Sequence, residues 1–252
     1  MPVRIAVIAE ADADRRQVCE LIDRKIRQHA PDWWDDAQLE VEREYCGLAP
    51  GTPFTRWTQL KDLPSPEGAF RRGGYIGFGE RQHLHSDYPL GRRALVSSVL
   101  AKPRVDAVIL VRDMDQQPDE RATSLEQARA EVPAHAMTIV LALPRAKREA
   151  WVLNGFEPKT AGEETALAAL REELGFDPLT RSERLDAMKH GAKRDAKRML
   201  THLTQDDRER EACCWRDTGW SLLRQRGVGS GLVRFLAEVK DRLLPLVTGR
   251  RA

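Results

Sequence analysis

No hydrophobic run in this sequence approaches the roughly 20 residues that a membrane-spanning helix needs. That sets aside an integral membrane protein of the helical kind. Net charge is also nearly absent: 41 basic residues face 39 acidic ones, for a formal +2. Bulk charge therefore does not mark a nucleic-acid binder, and any such reading rests on local patches. Cysteine is scarce. Cys19, Cys46, Cys213 and Cys214 show no zinc-ligand spacing, and the adjacent pair is poorly placed to share a structural ion, so they read as reduced cysteines of a cytoplasmic protein. The opening MPVRIAVIAEAD turns acidic after one short apolar run, unlike a signal peptide. No repeat or low-complexity tract is present. What remains is 41% hydrophobic and 32% charged, the composition of a packed core under a heavily charged surface.

Three short apolar runs carry the regular pattern. Residues 3–9 (VRIAVIA), 106–111 (DAVILV) and 137–143 (MTIVLAL) read as buried strands. Each leads into a helical segment. After the first, Asp12 is placed to cap a helix whose apolar face is Val18, Leu21, Ile22 and Ile26, and which should stop near Pro31. Residues 119–131 and 145–153 follow the other two strands. Alternating strands and helices imply right-handed crossovers and a mainly parallel sheet. The fold expected is α/β, a Rossmann-like parallel sheet flanked by helices. Residues 31–92 break the pattern as an irregular insertion. It holds a weak strand at 39–45, Pro50, Pro53, Pro64 and Pro66, then a glycine-rich stretch, and a helix at 94–101 follows. Residues 161–252 read as helical only, over 162–174, 182–203, 206–224 and 231–246, and are expected to pack on the 1–160 region.

In an open parallel sheet, ligands bind beyond the carboxyl ends of the strands. Acids gather there. Glu10 ends the first strand, with Asp12 and Asp14 behind it. Asp113 and Asp115 end the second, and Glu149 lies in the first turn after the third. In an extended segment residues i and i+2 point the same way, so Asp113 and Asp115 are expected to face one ion together. Crowded carboxylates repel, and Mg²⁺ or Mn²⁺ with hard oxygen ligands relieves the conflict. Plainer readings stand beside these: Asp12 as a helix cap, Asp113 and Asp115 as turn residues, Glu149 as a solvated helix acid.

The segments IAVIAEADAD, DAVILVRDMDQ and PRAKREAWVL resemble the motifs of a TOPRIM domain, in the version found in OLD-family and related predicted defence nucleases. Glu10, Asp14, the Asp113–Asp115 pair and a Glu149-Ala150-Trp151 segment stand in the family's order. Ala11 departs from it, because the family usually carries glycine there. The resemblance implies a metal-dependent nuclease that hydrolyses phosphodiester bonds in DNA or RNA with one or two Mg²⁺ or Mn²⁺ ions. Glu10, Asp113 and Asp115 would hold the first ion, and Asp14 and Glu149 would help hold a second. Lys193 or Lys197, in HGAKRDAKRML, would stabilise charge on the scissile phosphate. A role in anti-phage defence is also implied. With no Walker A motif in the chain, an ATPase partner would be a separate subunit.

Local charge suits a nucleic-acid partner. Residues 181–198 hold seven Lys or Arg against three acids. Arg71, Arg72, Arg81, Arg92 and Arg93 punctuate the glycine-rich stretch, interleaved with Tyr75 and Phe78, a composition equally suited to a plain solvated loop. His83 and His85 lack a third ligand, and Trp33 and Trp34 read as packing residues. Two other functions fit parts of the pattern. One is a non-catalytic α/β interaction module of a multi-protein complex. The other is a haloacid-dehalogenase-like phosphatase, which lacks support here because Asp113-x-Asp115 follows an interior strand.

Overall fold

The computed structural model describes residues 1–30, 34–63 and 87–249. Strand β1 (Val3–Ala9) is the seed of the sheet, with its last five residues fully buried. Helix α1 (Asp12–Arg27) follows directly, with Asp12 and Asp14 in its first turn and Arg24, Lys25 and Arg27 in its last, as the helix dipole favours. Its N-cap is Ala11 rather than Asp12, which instead pairs with Arg15 and Arg16.

The expected weak strand is partly a helix. Asp35 accepts the Gln38 amide at 2.8 Å and starts α2 (Asp36–Glu42), and the chain becomes extended only at β2 (Arg43–Cys46). A two-residue strand, β3 (Thr55–Arg56), runs into a 3-10 turn, Trp57–Asp62. Helix α3 (Asp87–Val99) starts earlier than expected, so Arg92 and Arg93 lie on it and bond to Glu131 and to the Lys61 and Leu63 carbonyls. Arg71, Arg72, Tyr75, Phe78, Arg81, His83, His85 and Trp33 lie outside the described residues.

The regular alternation then resumes with β4 (Ala107–Val111), α4 (Pro118–Ala130), β5 (Thr138–Ala142) and α5 (Arg148–Asn154). The sheet order is β2-β1-β4-β5, with β3 beside the end of β1, and every pairing is parallel. Strand alternation splits the core in two. Ile5, Val7, Ala9, Ile109, Val111 and Val140 face α1, α5 and the later helices. Ala6, Ile8, Val108, Leu110 and Leu141 face α3 and α4. Each fully buried Ile, Val or Leu contributes about 1.5–3 kcal/mol.

The remaining helices are α6 (Ala161–Leu174), α7 (Ala196–Thr204), α8 (Arg208–Arg216), α9 (Trp220–Arg226), α10 (Leu232–Glu238) and α11 (Leu244–Val247), the last two joined by a π-helical turn. The helix expected over 182–203 is mostly absent. Gly191 turns through φ +76°, Asp186 and Asp195 form an antiparallel bridge, and only then does Asp195 cap α7. The helical region is tied to the sheet through α5. Trp151 stacks on Phe235 of α10 at 5.1 Å. Asn154, wholly buried, donates to the Leu179 and Arg226 carbonyls and to Ser182 Oγ, and accepts from Ser230 Oγ at 2.6 Å. Gly155 lies so close to α8 that a Cβ there would fall 1.7 Å from the Cys214 carbonyl. Among the described residues no helix is long and apolar enough to cross a membrane.

Two stability outcomes follow from this packing. Asn154→Ala strands buried partners on three segments and should cost about 2–4 kcal/mol in urea unfolding; a loss under about 0.5 kcal/mol would show that Asn154 is no anchor. Gln17 is also fully buried on α1, with neither amide atom hydrogen-bonded. Gln17→Met should therefore raise the unfolding free energy by about 1–2 kcal/mol, and a destabilised variant would contradict this.

Candidate active site

The β1–β4 register pairs Ile8 with Leu110; continued two residues, it sets Glu10 beside Arg112 at the carboxyl rim. Glu10 Oε1 accepts from Arg112 Nη1 at 2.8 Å. Arg112 lies over the Trp57 ring, 5.4 Å from its centroid, and Trp57 Nε1 donates to the Val111 carbonyl. Ala11, where the resembled family carries glycine, has φ −140°. That is ordinary extended backbone, so alanine is unstrained there. Its amide donates to Asp14 Oδ2 at 2.8 Å, which turns the Asp14 carboxylate back toward the rim.

Asp113 points to the α1 and α5 side. Its Oδ1 accepts the Arg148 amide at 3.0 Å. The Arg148 guanidinium reaches Asp14 Oδ1 at 3.6 Å, Glu149 Oε1 at 3.6 Å and Glu211 Oε2 of α8 at 3.4 Å. Glu149 is therefore no solvated helix acid; its side chain is only 14% exposed. Burial pushes the Asp113 carboxyl up to about 8, and repulsion from Asp14, Glu149 and Glu10 pushes in the same direction. Burial also raises Asp14, against the Ala11 amide and Arg148, which favour its charged form, while Glu10 and Glu149 add to the rise.

Asp115 is engaged from the other side. Met114 between the two aspartates is buried and bridges to Arg145, and the chain then turns so that Asp115 Oδ1 accepts from Arg121 Nη1 at 2.7 Å. Arg121 also bonds Asp87, to which Arg112 reaches at 3.3 Å. A row of alternating charge, Glu10, Arg112, Asp87, Arg121, Asp115, thus lines the α3 and α4 side. Glu10 belongs to both sides, because its charge acts on Asp113 and on Arg121. Asp113 and Asp115 do not share a set of partners.

Lys193 and Lys197 are exposed, one in the loop before α7 and one in its first turn. Lys193 lies near Glu173, and the Lys197 amide donates to Asp195. Lys147, one residue before Arg148, turns its ammonium to Asp195 and the Ala187 carbonyl. Sequence reasoning missed Arg112, Arg121, Arg148, Asp87 and Glu211. Arg112 and Arg148 adjoin acids already singled out, so their position was a usable signal. Asp87, Arg121 and Glu211 reach their partners through tertiary packing alone.

The donors are carboxylate oxygens, which suit Mg²⁺ or Mn²⁺. As the side chains stand, Arg148 lies among them, and no three acids, histidines or cysteines among the described residues converge as a ligand set. No family model, curated protein or solved structure matches this chain.

Because Asp113 carries a folded pKa of about 8 against an ordinary 3.8, it binds a proton on folding between those values. The stability that this proton confers is fully present below about pH 4. It falls as pH rises and is lost above about 8. In chelator, Asp113→Asn should therefore be stabilised relative to the parent at pH 9 by about 2–5 kcal/mol, with little difference at pH 4. Equal pH profiles for the two proteins would show that Asp113 is not perturbed.

Proposed function

We propose that this chain is a Mg²⁺- or Mn²⁺-dependent phosphodiesterase of TOPRIM-like type that cuts nucleic acid at the rim of β1 and β4. The observation that carries this reading is the crowding of Glu10, Asp14, Asp113 and Glu149 on one side of that rim. Burial of Asp113, with the repulsion of Asp14, Glu149 and Glu10 added to it, holds that carboxyl protonated near neutral pH. A fold gains no stability from such crowding, whereas a cation site requires it. Glu10 and Asp113 would hold the ion, with Asp14 and Glu149 completing its surroundings. Bound there, the ion would supply Lewis acidity toward a phosphate oxygen and make a water more acidic.

The chain's own residues suit the remaining tasks. Arg112, partly exposed on the adjacent side, is suited to meeting a phosphate, while buried Arg121, held by Asp87 and Asp115, fixes the acids beside it. Exposed Lys193 and Lys197 are suited to contacting the nucleic-acid backbone farther out. Four free cysteines fit a reducing, cytoplasmic setting. A separate ATPase subunit and a role in anti-phage defence belong to the same proposal, and both rest on the resemblance alone.

The place of Arg148 favours a second reading, a non-catalytic module in which the guanidinium permanently neutralises Asp14, Glu149 and Glu211. The two part on one experiment. Supercoiled plasmid and a labelled RNA are incubated with the purified chain and Mn²⁺, beside Glu10→Gln and Asp113→Asn. The nuclease reading expects cleavage of at least one substrate, reduced about 100-fold or more in each variant. No cleavage of either substrate, together with a melting temperature unmoved by Mn²⁺, would leave the module.

A further inference from the structure

Arg148 is held more loosely than two other arginine partners of inward-facing acids, Arg43 and Arg129. Arg43 grips Asp23 with two bonds at 2.9 and 2.7 Å, and Arg129 grips Glu238 at 2.7 and 2.8 Å. The Arg148 guanidinium is instead divided among carboxylates from three helices, Asp14 of α1, Glu149 of α5 and Glu211 of α8, and comes no closer than 3.4 Å to any. Its side chain is only 11% exposed, so it is inside the cluster rather than at its edge. One delocalised positive charge shared this way balances several carboxylates only in part. A divalent ion draws oxygens to about 2.0–2.2 Å and carries twice the charge.

Glu211 differs from the other two acids. It comes from α8, not from a segment that follows a strand, and is nearest to the guanidinium at 3.4 Å. It is placed to keep Arg148 paired when Asp14 and Glu149 turn to another cation.

We infer that Arg148 is a resident counter-ion that competes with the divalent cation for Asp14 and Glu149, and that Glu211 receives its guanidinium when the cation enters. This rests on the reading of the rim as a metal site and adds what sets its affinity. No bond is made or broken; the step is an exchange of ion pairs.

The test is Mn²⁺ titration by calorimetry on the full chain, with Mn²⁺-dependent melting as a second readout. Arg148→Gln should bind Mn²⁺ about tenfold or more tightly than the parent. Arg148→Lys, which keeps one charge but cannot fork among three acids, should fall between and serves if the glutamine variant melts too low to titrate. Glu211→Gln should weaken Mn²⁺ binding in the parent, because Arg148 then stays on Asp14 and Glu149. In the Arg148→Gln background the same change should have no effect. Equal affinities for the parent and both Arg148 variants overturn the inference and leave the metal site standing. Weakening by Glu211→Gln in both backgrounds makes Glu211 a direct ligand and overturns its receiving role. Absence of Mn²⁺ binding from every variant overturns the metal reading, and this inference with it.

Discussion

The parallel register of β1 against β4 is the constraint on which the rim depends. It pairs Ile8 with Leu110 and so brings Glu10 level with Arg112, and it sends alternate residues to opposite faces of the sheet. Arg112 accordingly goes to the side of Trp57 and α3, and Asp113 to the side of α1 and α5. A slip of one residue would exchange those faces. Asp113 would lose the Arg148 amide, Arg112 would lose its ring and Asp87, and the apolar sets that fill the two halves of the core would be exchanged, each into space shaped for the other. The packing penalty of that slip, several misfitted Ile, Val and Leu at about 1–3 kcal/mol each, exceeds the worth of a single exposed ion pair. Core packing therefore holds the carboxylates in place against their own repulsion.

That repulsion is handled differently on the two sides. On the α3 and α4 side, acids and arginines alternate, and each charge has a close partner of opposite sign. Buried pairs of this kind roughly balance their desolvation, so they fix geometry more than they add stability. On the α1 and α5 side, carboxylates outnumber the arginine available to them. Arg148 is spread among three, and Asp113 is left with a backbone amide, too little to offset the burial and the neighbouring carboxylates that keep its proton to so high a pH. The same rim thus presents one half in which every charge is closely paired and one half in which a single arginine is divided among its acids.

The strands and the rim acids were legible in the sequence because both depend on local pattern. Runs of β-branched residues such as VRIAVIA and AVILV have one low-energy fate in a buried parallel sheet, and the residue that ends such a strand must lie at its edge. Glu10, Asp14, Asp113 and Glu149 were all found this way. The shared orientation of Asp113 and Asp115 was not, because period-2 reasoning assumes that extended backbone continues. The chain turns after Met114, whose side chain fills the core under α3 and α4. The helix over 182–203 failed for a similar reason: Gly191 and Asp195 close a loop inside an apparently helical stretch, and a side-chain cap outweighs weak helical periodicity. The glycine missing at position 11 turned out to carry no structural demand, since the backbone there is extended.

Arg148 was invisible as a partner for Glu211 because nothing local links α5 to α8, and that link shows how the C-terminal helices bear on the rim. Asn154, at the far end of α5, bonds the segments around Ser182, Arg226 and Ser230, and Gly155 allows α8 to approach within contact of the α5 backbone. The helices so gathered fix both ends of α5: one end by a buried amide network, the other by Glu211 on the Arg148 guanidinium. Between them lies Glu149, and just before it the amide that Asp113 accepts. The orientation of α5 therefore sets the spacing of Asp113, Glu149 and Arg148 together. Ala150 to Leu153 pack this helix tightly into the core, and the hydrogen bonds at one end and ion pairs at the other add direction to that packing. A region with no strand of its own thus helps to set how the acids at the sheet's edge are held together.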